Sequence, residues 1–121
     1  HLRYDMDNQL PVDKFVDIYQ KLNNSNLDLL SEIYCDDIQF TDPMHNINGI
    51  VELRKYFANL YSNVTHCQFD ITDSFSVANN AFVYWSMHYV HPKLASGNTI
   101  TVQGHSKLTF NGDKIIEHRD Y

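Results

Sequence analysis

Residues 99–121 read TITVQGHSKLTFNGDKIIEHRDY, and this stretch decides the fold class. Asn111-Gly112 is the dipeptide that most strongly favours a two-residue β-hairpin turn. Apolar and polar side chains alternate before the turn, which is the period of a β-strand. The stretch therefore predicts a strand from Thr99 to Phe110 that turns at Asn111-Gly112 and pairs back with a last strand from Lys114 to Tyr121.

Two further strands are predicted before this hairpin. Residues 67–72 alternate apolar and polar side chains, and residues 82–90 form a long run that is rich in aromatic side chains. Asn79-Asn80 supplies a turn signal between them, and residues 91–98 carry the proline and glycine of a loop. The second half of the chain thus predicts four strands that are joined largely by hairpins.

The first half of the chain has helical periodicity instead. Apolar side chains recur at three or four positions from Pro11 to Leu22, again from Leu27 to Tyr34, and again from Val51 to Tyr61. We predict three helices in these ranges, the second of which ends at Cys35-Asp36-Asp37.

One short strand, Ile38 to Thr41, is predicted between the second and third helices. Phe40 and Asp42 lie on the same face, because side chains alternate along a strand. Pro43 cannot donate a ladder hydrogen bond and ends the strand, and residues 44–49 are predicted to form a polar loop.

The length and the element order fit one α+β domain. We assign residues 1–10 to a flexible lead-in and residues 11–121 to a single domain. Helices and strands are segregated, without the βαβ alternation that a parallel sheet requires. The sheet is therefore expected to be mostly antiparallel.

The formal net charge of −6 disfavours two classes of partner. An acidic chain without a Lys/Arg stripe is repelled by the phosphates of nucleic acids and by anionic membrane surfaces. No apolar run approaches the roughly 20 residues that span a bilayer, and the start of the chain is too polar for a signal peptide. We expect a cytoplasmic protein with no nucleic-acid or membrane partner.

No metal or organic cofactor is expected either. The seven histidines are scattered and lack the spacing of a zinc site. The signatures of serine hydrolases, phosphate-binding loops, kinases and haem attachment do not occur in the sequence.

Three segments of the chain carry recognisable motifs. They are LNNSNLD (22–28) followed by YCDD (34–37) and FTDP (40–43), then GIVELRKYF (49–57), and finally GHSKLTFNG (104–112) with KIIEH (114–118). In order and spacing these segments resemble the NTF2-like superfamily, which includes the SnoaL-like polyketide cyclases and the bacterial ketosteroid isomerases. The resemblance covers most of residues 12–121.

The resemblance implies an NTF2-like, or cystatin-like, cone. In that fold three N-terminal helices pack on a curved, mostly antiparallel sheet that encloses a pocket open at one end. Homodimers that form through the outer sheet face are frequent in the superfamily. The outer face of this chain is predicted to carry an aromatic, mixed-polarity set that suits such a dimer: Tyr84, Ser86, His88, His105 and Lys107.

Asp42 occupies the place of the catalytic aspartate of the ketosteroid isomerases, directly before a proline. At the rim of an apolar pocket, desolvation would raise the pKa of this carboxyl and make it a general base. The alternative is that Asp42 caps the turn at Asp42-Pro43, where aspartate is common, and one residue can do both.

A true ketosteroid isomerase is not expected. Those enzymes hold an enolate with a tyrosine on the first helix and a protonated aspartic acid on the penultimate strand. The corresponding positions here are Ile18 and Ser106, and the neighbouring Tyr19 is predicted to point off that face. Without this pair the largest usual source of oxyanion stabilisation is missing.

His118 and Asp120 form a second candidate pair on the last strand. They are two positions apart and share a face, which by resemblance looks into the pocket. An imidazole beside a carboxylate is an oriented acid–base pair. The alternative is that a neighbouring polar group satisfies His118, while an arginine or solvent pairs with Asp120. The side chains predicted to line the pocket and bind ligand are Phe40, Phe57, Trp85, Met87, Tyr89, Ser106 and Leu108.

Three functions remain open on this basis. The first is cofactor-independent acid–base catalysis of an isomerase, cyclase or hydrolase type on a small hydrophobic substrate, with Asp42, His118 and Asp120 as the catalytic candidates. The second is a non-catalytic pocket for a small apolar ligand. The third is a dimeric protein-interaction module that uses the outer sheet face.

Overall fold

A computed structural model describes residues 10–121 of the chain. The predicted lead-in, residues 1–10, lies outside the described residues except for Leu10. The elements in chain order are helix α1 (Pro11–Lys21), a 3₁₀ helix (Leu27–Glu32), strands β1 (Tyr34–Thr41) and β2 (Asn46–Asn48), helix α2 (Ile50–Ser62), strands β3 (His66–Val77) and β4 (Asn80–Val90), a short 3₁₀ turn (Ala95–Gly97), and strands β5 (Ile100–Asn111) and β6 (Lys114–Asp120).

The six strands form one curved, open sheet in the order β2-β1-β6-β5-β4-β3. Every neighbouring pair is antiparallel except β1 and β6, which run parallel with Phe40 opposite His118. The α+β class, the mostly antiparallel sheet and the four C-terminal strands are therefore confirmed. Strand β6 lies in the middle of the sheet, so the side chains of the last strand are surrounded by neighbours on both sides.

The prediction of three N-terminal helices is wrong in two respects. The second helix is a 3₁₀ helix that ends at Glu32, and Tyr34 already belongs to β1. Tyr34 pairs with Ile115 on β6, and the Ile115 N–H donates to the Ile33 carbonyl at 2.8 Å. This long-range pairing overrides the local helical periodicity.

The third helix follows β1 and β2, so two helices precede the sheet in the described residues, and the strand predicted between the second and third helices is part of β1. Residues 44–49, predicted as a polar loop, contain the short edge strand β2, which pairs with residues 39–41 of β1.

The hydrophobic core fills the space between the helices and the concave face of the sheet. Helix α1 packs on β3, and helix α2 packs on β1 and on the 3₁₀ helix. The apolar stripes of both helices are buried as their periodicity predicts. The buried helical residues are Val12, Phe15, Ile18 and Tyr19 of α1 and Ile50, Leu53 and Phe57 of α2.

The outer sheet face carries a row of aromatic rings across three neighbouring strands. Tyr84 is 43% exposed and stacks on His105, which in turn stacks on Tyr121 with centroids 4.8 Å apart. This arrangement suits an interface, but homodimer formation stays a prediction. Within residues 10–121, no helix is long and apolar enough to cross a membrane.

Two substitutions in α2 separate core packing from helix propensity. Leu53→Ala should lower the free energy of unfolding by about 2–5 kcal/mol, because Leu53 is fully buried and its loss leaves a cavity. Val51→Ala removes an apolar side chain from the exposed face of the same helix and should change stability by less than about 0.5 kcal/mol. Urea unfolding followed by circular dichroism measures both, and equal effects would contradict the assigned helix face.

Candidate functional site

A cavity of about 340 Å³ opens between the helices and the concave face of the sheet. Its volume lies at the low end of the range for small-molecule sites. Aromatic side chains dominate its wall, and two carboxylates interrupt them. The lining residues are Tyr19, Phe40, Asp42, Pro43, Tyr56, Phe57, Leu60, Phe69, Trp85, Met87, Val102, Gln103, Ser106, Asp120 and Tyr121.

The aromatic wall is continuous around the cavity. Neighbouring rings approach each other with centroids 5.5–6.5 Å apart in tilted or edge-on arrangements, which are the favourable geometries for aromatic pairs. The run of rings in contact passes from helix α2 through β1 and α1 to the long hairpin: Tyr56, Phe40, Phe57, Tyr19, Phe69 and Trp85.

His118 lies beneath this wall and is fully enclosed. Its side chain is 1% exposed, and its ring packs near those of Phe15 and Phe40. Nδ1 lies 2.7 Å from the Tyr34 hydroxyl, and Nε2 lies 2.6 Å from Asp120 Oδ1. Both ring nitrogens are thus occupied by the protein, and His118 does not line the cavity.

The hydrogen-bond partners define the path of this network. Burial raises the pKa of Tyr19 and of Tyr34 well above 10, so both phenols keep their protons. The Nε2–H of His118 donates to Asp120 Oδ1, and Nδ1 shares a hydrogen bond with the Tyr34 hydroxyl. The Tyr34 hydroxyl is also hydrogen-bonded to the Tyr19 hydroxyl, 2.5 Å away.

Asp120 joins this network to the cavity. Its Oδ1 accepts from His118 and also from the Ser106 hydroxyl at 2.5 Å. Its Oδ2 has no hydrogen-bond partner among residues 10–121 and is not enclosed by protein. Because Asp120 lines the cavity with 22% of its side chain exposed, this second oxygen is the one available to a ligand.

A hydrogen bond to Ser106, a member of the same network, holds Trp85 in place. Its Nε1–H donates to Ser106 Oγ at 2.8 Å, and its ring lies over Gly104 on the neighbouring strand. A Cβ at position 104 would come within 2.6 Å of the indole, which is closer than real atoms approach. The absence of a side chain at Gly104 therefore gives Trp85 the room to form part of the cavity wall.

Asp42 lines the cavity where β1 ends, but the expected rise in its pKa is wrong. Burial alone would raise the pKa, yet hydrogen bonds from the Met44 N–H, the His45 side chain and the Tyr56 hydroxyl outweigh burial and lower it. Asp42 Oδ1 accepts the Met44 and His45 backbone N–H groups at 2.8 and 2.6 Å. This is the turn-capping arrangement that the sequence analysis gave as the alternative.

Two of the side chains expected at the pocket lie elsewhere. Leu108 is completely buried in the core, and Tyr89 lies farther along β4 than the lining residue Met87. The other five predicted ligand-binding side chains line the cavity: Phe40, Phe57, Trp85, Met87 and Ser106.

The sequence analysis did not identify two aromatic side chains that line the cavity. Tyr19 was predicted to point off the pocket face, but it is buried and lines the cavity together with Tyr56. The apolar stripe of α1 does include Tyr19, which was the available signal. Tyr56 lies next to the buried stripe of α2 and lines the cavity, with its hydroxyl 3.1 Å from Asp42.

The sequence matches the family of SnoaL-like domains over residues 12–118, which is most of the chain. The chain belongs to the SnoaL-like domain family. Its fold, a curved sheet with helices on the concave side, is accordingly the NTF2-like fold that this family shares. No curated protein matches this SnoaL-like domain.

Solved structures with the same fold differ widely from this SnoaL-like domain in sequence. A candidate SnoaL-like polyketide cyclase from Jannaschia sp. CCS1 is 15% identical with a TM-score of 0.78, over 92% of this chain and 83% of that one. A protein with a ketosteroid isomerase-like fold from Catenulispora acidiphila, in complex with trimethylamine, is 13% identical with a TM-score of 0.77 over the same shares. An NTF2-like protein of unknown function from Burkholderia pseudomallei is 10% identical with a TM-score of 0.79, over 92% and 88%. These similarities establish the fold.

Removal of the Tyr34 hydroxyl tests the buried network. Tyr34→Phe leaves Tyr19 and His118 Nδ1 without a partner, so it should lower the free energy of unfolding by about 1–3 kcal/mol. The matched control is Tyr84→Phe, the same chemical change on the exposed outer face, which should cost less than about 0.5 kcal/mol. Nitrogen NMR of His118 should show a proton on Nε2 in the wild type, and an Nε2 without a proton would contradict the hydrogen bond to Asp120.

The Asp42 carboxyl should titrate below its ordinary pKa of 3.8. Because the pKa is lower in the folded than in the unfolded state, ionised Asp42 stabilises the fold above the unfolded value, and this stabilisation is lost as the pH falls through the folded value. Asp42→Asn keeps an oxygen for the loop N–H groups but removes the charge, so it should destabilise the protein more at about pH 6 than at about pH 3. Urea unfolding at both pH values measures the difference, and an equal cost at both would contradict the lowered pKa.

Proposed function

We propose that the cavity binds a small hydrophobic molecule and that Asp120 carries out acid–base chemistry on it without an organic cofactor. The observation that carries this proposal is the asymmetry of the Asp120 carboxylate. One oxygen is held by His118 and Ser106, the other has no hydrogen-bond partner among residues 10–121, and the residue lines the cavity. A carboxylate fixed in this way presents one basic atom in a defined direction to a bound molecule.

The reaction that fits best is removal of a proton from a ligand carbon or hydroxyl and its return at another position. Asp120 Oδ2 would accept the proton, while the hydrogen bonds from His118 and Ser106 hold Oδ1 in place. The apolar wall would exclude water from the reacting atoms and keep the proton from exchanging with solvent. This chemistry is common to isomerases and cyclases, and also serves hydrolases in which a carboxylate activates water.

His118 and Asp42 take different roles from Asp120 in this proposal. Both nitrogens of His118 are occupied within the protein, so it is a positioning residue that orients Asp120. Asp42 caps its loop and supplies a second negative charge on the cavity wall. A true ketosteroid isomerase remains disfavoured, because Ser106 donates to Asp120 and Ile18 has no polar group.

A non-catalytic ligand-binding role is the second candidate. It is favoured by the hydroxyl of Tyr56, the indole N–H of Trp85 and the hydroxyl of Ser106, which are already bonded to protein acceptors and so are not free to stabilise a developing oxyanion. The similar protein from Catenulispora acidiphila, which holds trimethylamine, is consistent with a binding role for this fold. The interaction-module alternative depends on the outer aromatic row, and a homodimer through that face is compatible with either cavity function.

Proton exchange on a simple ketone separates catalysis from binding. In deuterated water, the wild type should accelerate the loss of the α-protons of 2-tetralone, and Asp120→Asn should reduce that acceleration by at least about 100-fold. The amide oxygen that this substitution introduces can still accept from His118 and Ser106, so binding should persist. Proton NMR follows the exchange, and the emission of Trp85, the single tryptophan of the chain, follows binding.

Two further variants complete this experiment. Asp113→Asn removes the same charge from the exposed turn between β5 and β6 and should leave exchange unchanged. His118→Ala should lower the exchange rate more than the affinity, as a positioning role requires. Acceleration that survives Asp120→Asn would rule out Asp120 as the base, and binding without any exchange in the wild type would favour the non-catalytic role.

A further inference from the structure

We propose that the cavity selects a hydrophobic cation, such as a quaternary or protonated amine, over uncharged and anionic molecules of the same shape. This inference rests on the proposed function, because it takes the same cavity as the ligand site. It adds the charge class of the ligand, which neither the fold nor the family determines.

The charges on the cavity wall are all of one sign. Asp42 and Asp120 line the cavity, and no Lys, Arg or His among residues 10–121 does so. His45 touches Asp42 from outside the cavity, with its Nδ1 at 2.9 Å and 47% of its side chain exposed. The lowered pKa of Asp42 keeps that carboxyl ionised at neutral pH. A bound cation would offset the cost of removing these carboxylates from water, whereas an anion would add to it.

The aromatic rings of the cavity wall also favour a cationic ligand. The face of an aromatic ring is electronegative, and a cation near it is attracted most strongly when both are out of water. Six rings in mutual contact form this wall: Tyr19, Phe40, Tyr56, Phe57, Phe69 and Trp85. An apolar wall made of leucine and valine would provide burial without this electrostatic term.

The polar atoms on the inner wall complete the pattern. The hydroxyl of Tyr56 donates to Asp42, the indole N–H of Trp85 donates to Ser106, and the hydroxyl of Ser106 donates to Asp120. The hydroxyls of Tyr19 and Tyr34 are hydrogen-bonded to each other behind the wall. Oδ2 of Asp120 has no partner among residues 10–121 and is an acceptor. The wall therefore offers this acceptor to a ligand N–H, while the donors of Tyr56, Trp85 and Ser106 are already engaged with protein atoms.

A cationic substrate also suits the proposed chemistry. A proton next to an iminium group can pass to Asp120 Oδ2 while the C–H electron pair forms a C=C bond and the C=N π electrons move to nitrogen. The product is a neutral enamine, so no oxyanion has to be stabilised. Where the carbon that loses the proton also bears a C=C bond, the enamine is a dienamine, and return of the proton from Asp120 at the far carbon of that bond gives a conjugated iminium with atoms and charge balanced.

Two molecules of one shape, and a third that adds a carboxylate to that shape, test the charge preference directly. They are phenyltrimethylammonium, its uncharged isostere tert-butylbenzene, and the anion 4-tert-butylbenzoate. Titration followed by Trp85 emission, checked by calorimetry, should give a dissociation constant for the cation at least about tenfold lower than for the uncharged isostere. The anion should bind more weakly than either.

Charge-neutral variants locate the source of the preference. Asp42→Asn and Asp120→Asn should each reduce the ratio of the two dissociation constants by at least about threefold, because each removes one carboxylate from the wall. Asp113→Asn lowers the net negative charge equally but lies in an exposed turn, and should leave the ratio unchanged.

The outcomes distinguish this inference from the function on which it rests. If the uncharged isostere binds as tightly as the cation, the charge preference is overturned and the cavity remains a ligand site. If the ratio falls as much in Asp113→Asn as in the cavity variants, the preference comes from the net charge and the inference is again overturned. If none of the three molecules changes Trp85 emission or gives heat, both the inference and the proposed ligand site fail together.

Discussion

A histidine that is sealed from water must find a partner for each ring nitrogen, and His118 meets this requirement with residues from two other parts of the sequence. Tyr34 lies 84 positions away and Asp120 only two, so one imidazole ties the first strand to the last. The same hydrogen bonds extend to Tyr19 on the first helix and to Ser106 and Trp85 on the neighbouring strands. Because every link depends on the next, the geometry of the cavity wall is coupled to the pairing of β1 with β6.

Local sequence patterns were sufficient for much of the fold and failed where distant segments compete. Asn111-Gly112 and the alternation around it correctly predicted the final hairpin, because turn chemistry and strand period are local properties. Tyr34 was assigned to a helix, since its spacing from Leu30 and Leu27 is helical, and only its pairing with Ile115 puts it in a strand. No pattern in the immediate sequence neighbourhood of Tyr34 contains that information.

In the candidate site, too, local patterns predicted some features and missed those that depend on contacts between distant segments. Alternation placed Trp85, Met87 and Ser106 on one face, and all three line the cavity. The pKa of Asp42 was predicted in the wrong direction, because burial was visible from its apolar neighbours whereas the hydrogen bonds from His45 and Tyr56 were not. The sequence also placed His118 and Asp120 on a common face, but it did not reveal that the imidazole is buried beneath the cavity wall and leaves the carboxylate as the exposed partner.

Trp85 and Gly104 pair across neighbouring strands, and the indole that lies over the glycine forms part of the cavity wall. A smaller ring in place of the indole would enlarge the cavity. Glycine at position 104 leaves the space that the indole occupies. Members of a lineage that differ at these two positions alone would accommodate molecules of different length on an otherwise unchanged scaffold. Because the indole donates to Ser106, which donates to Asp120, a smaller ring at position 85 would change the size of the cavity and the hydrogen bonds around this carboxylate together.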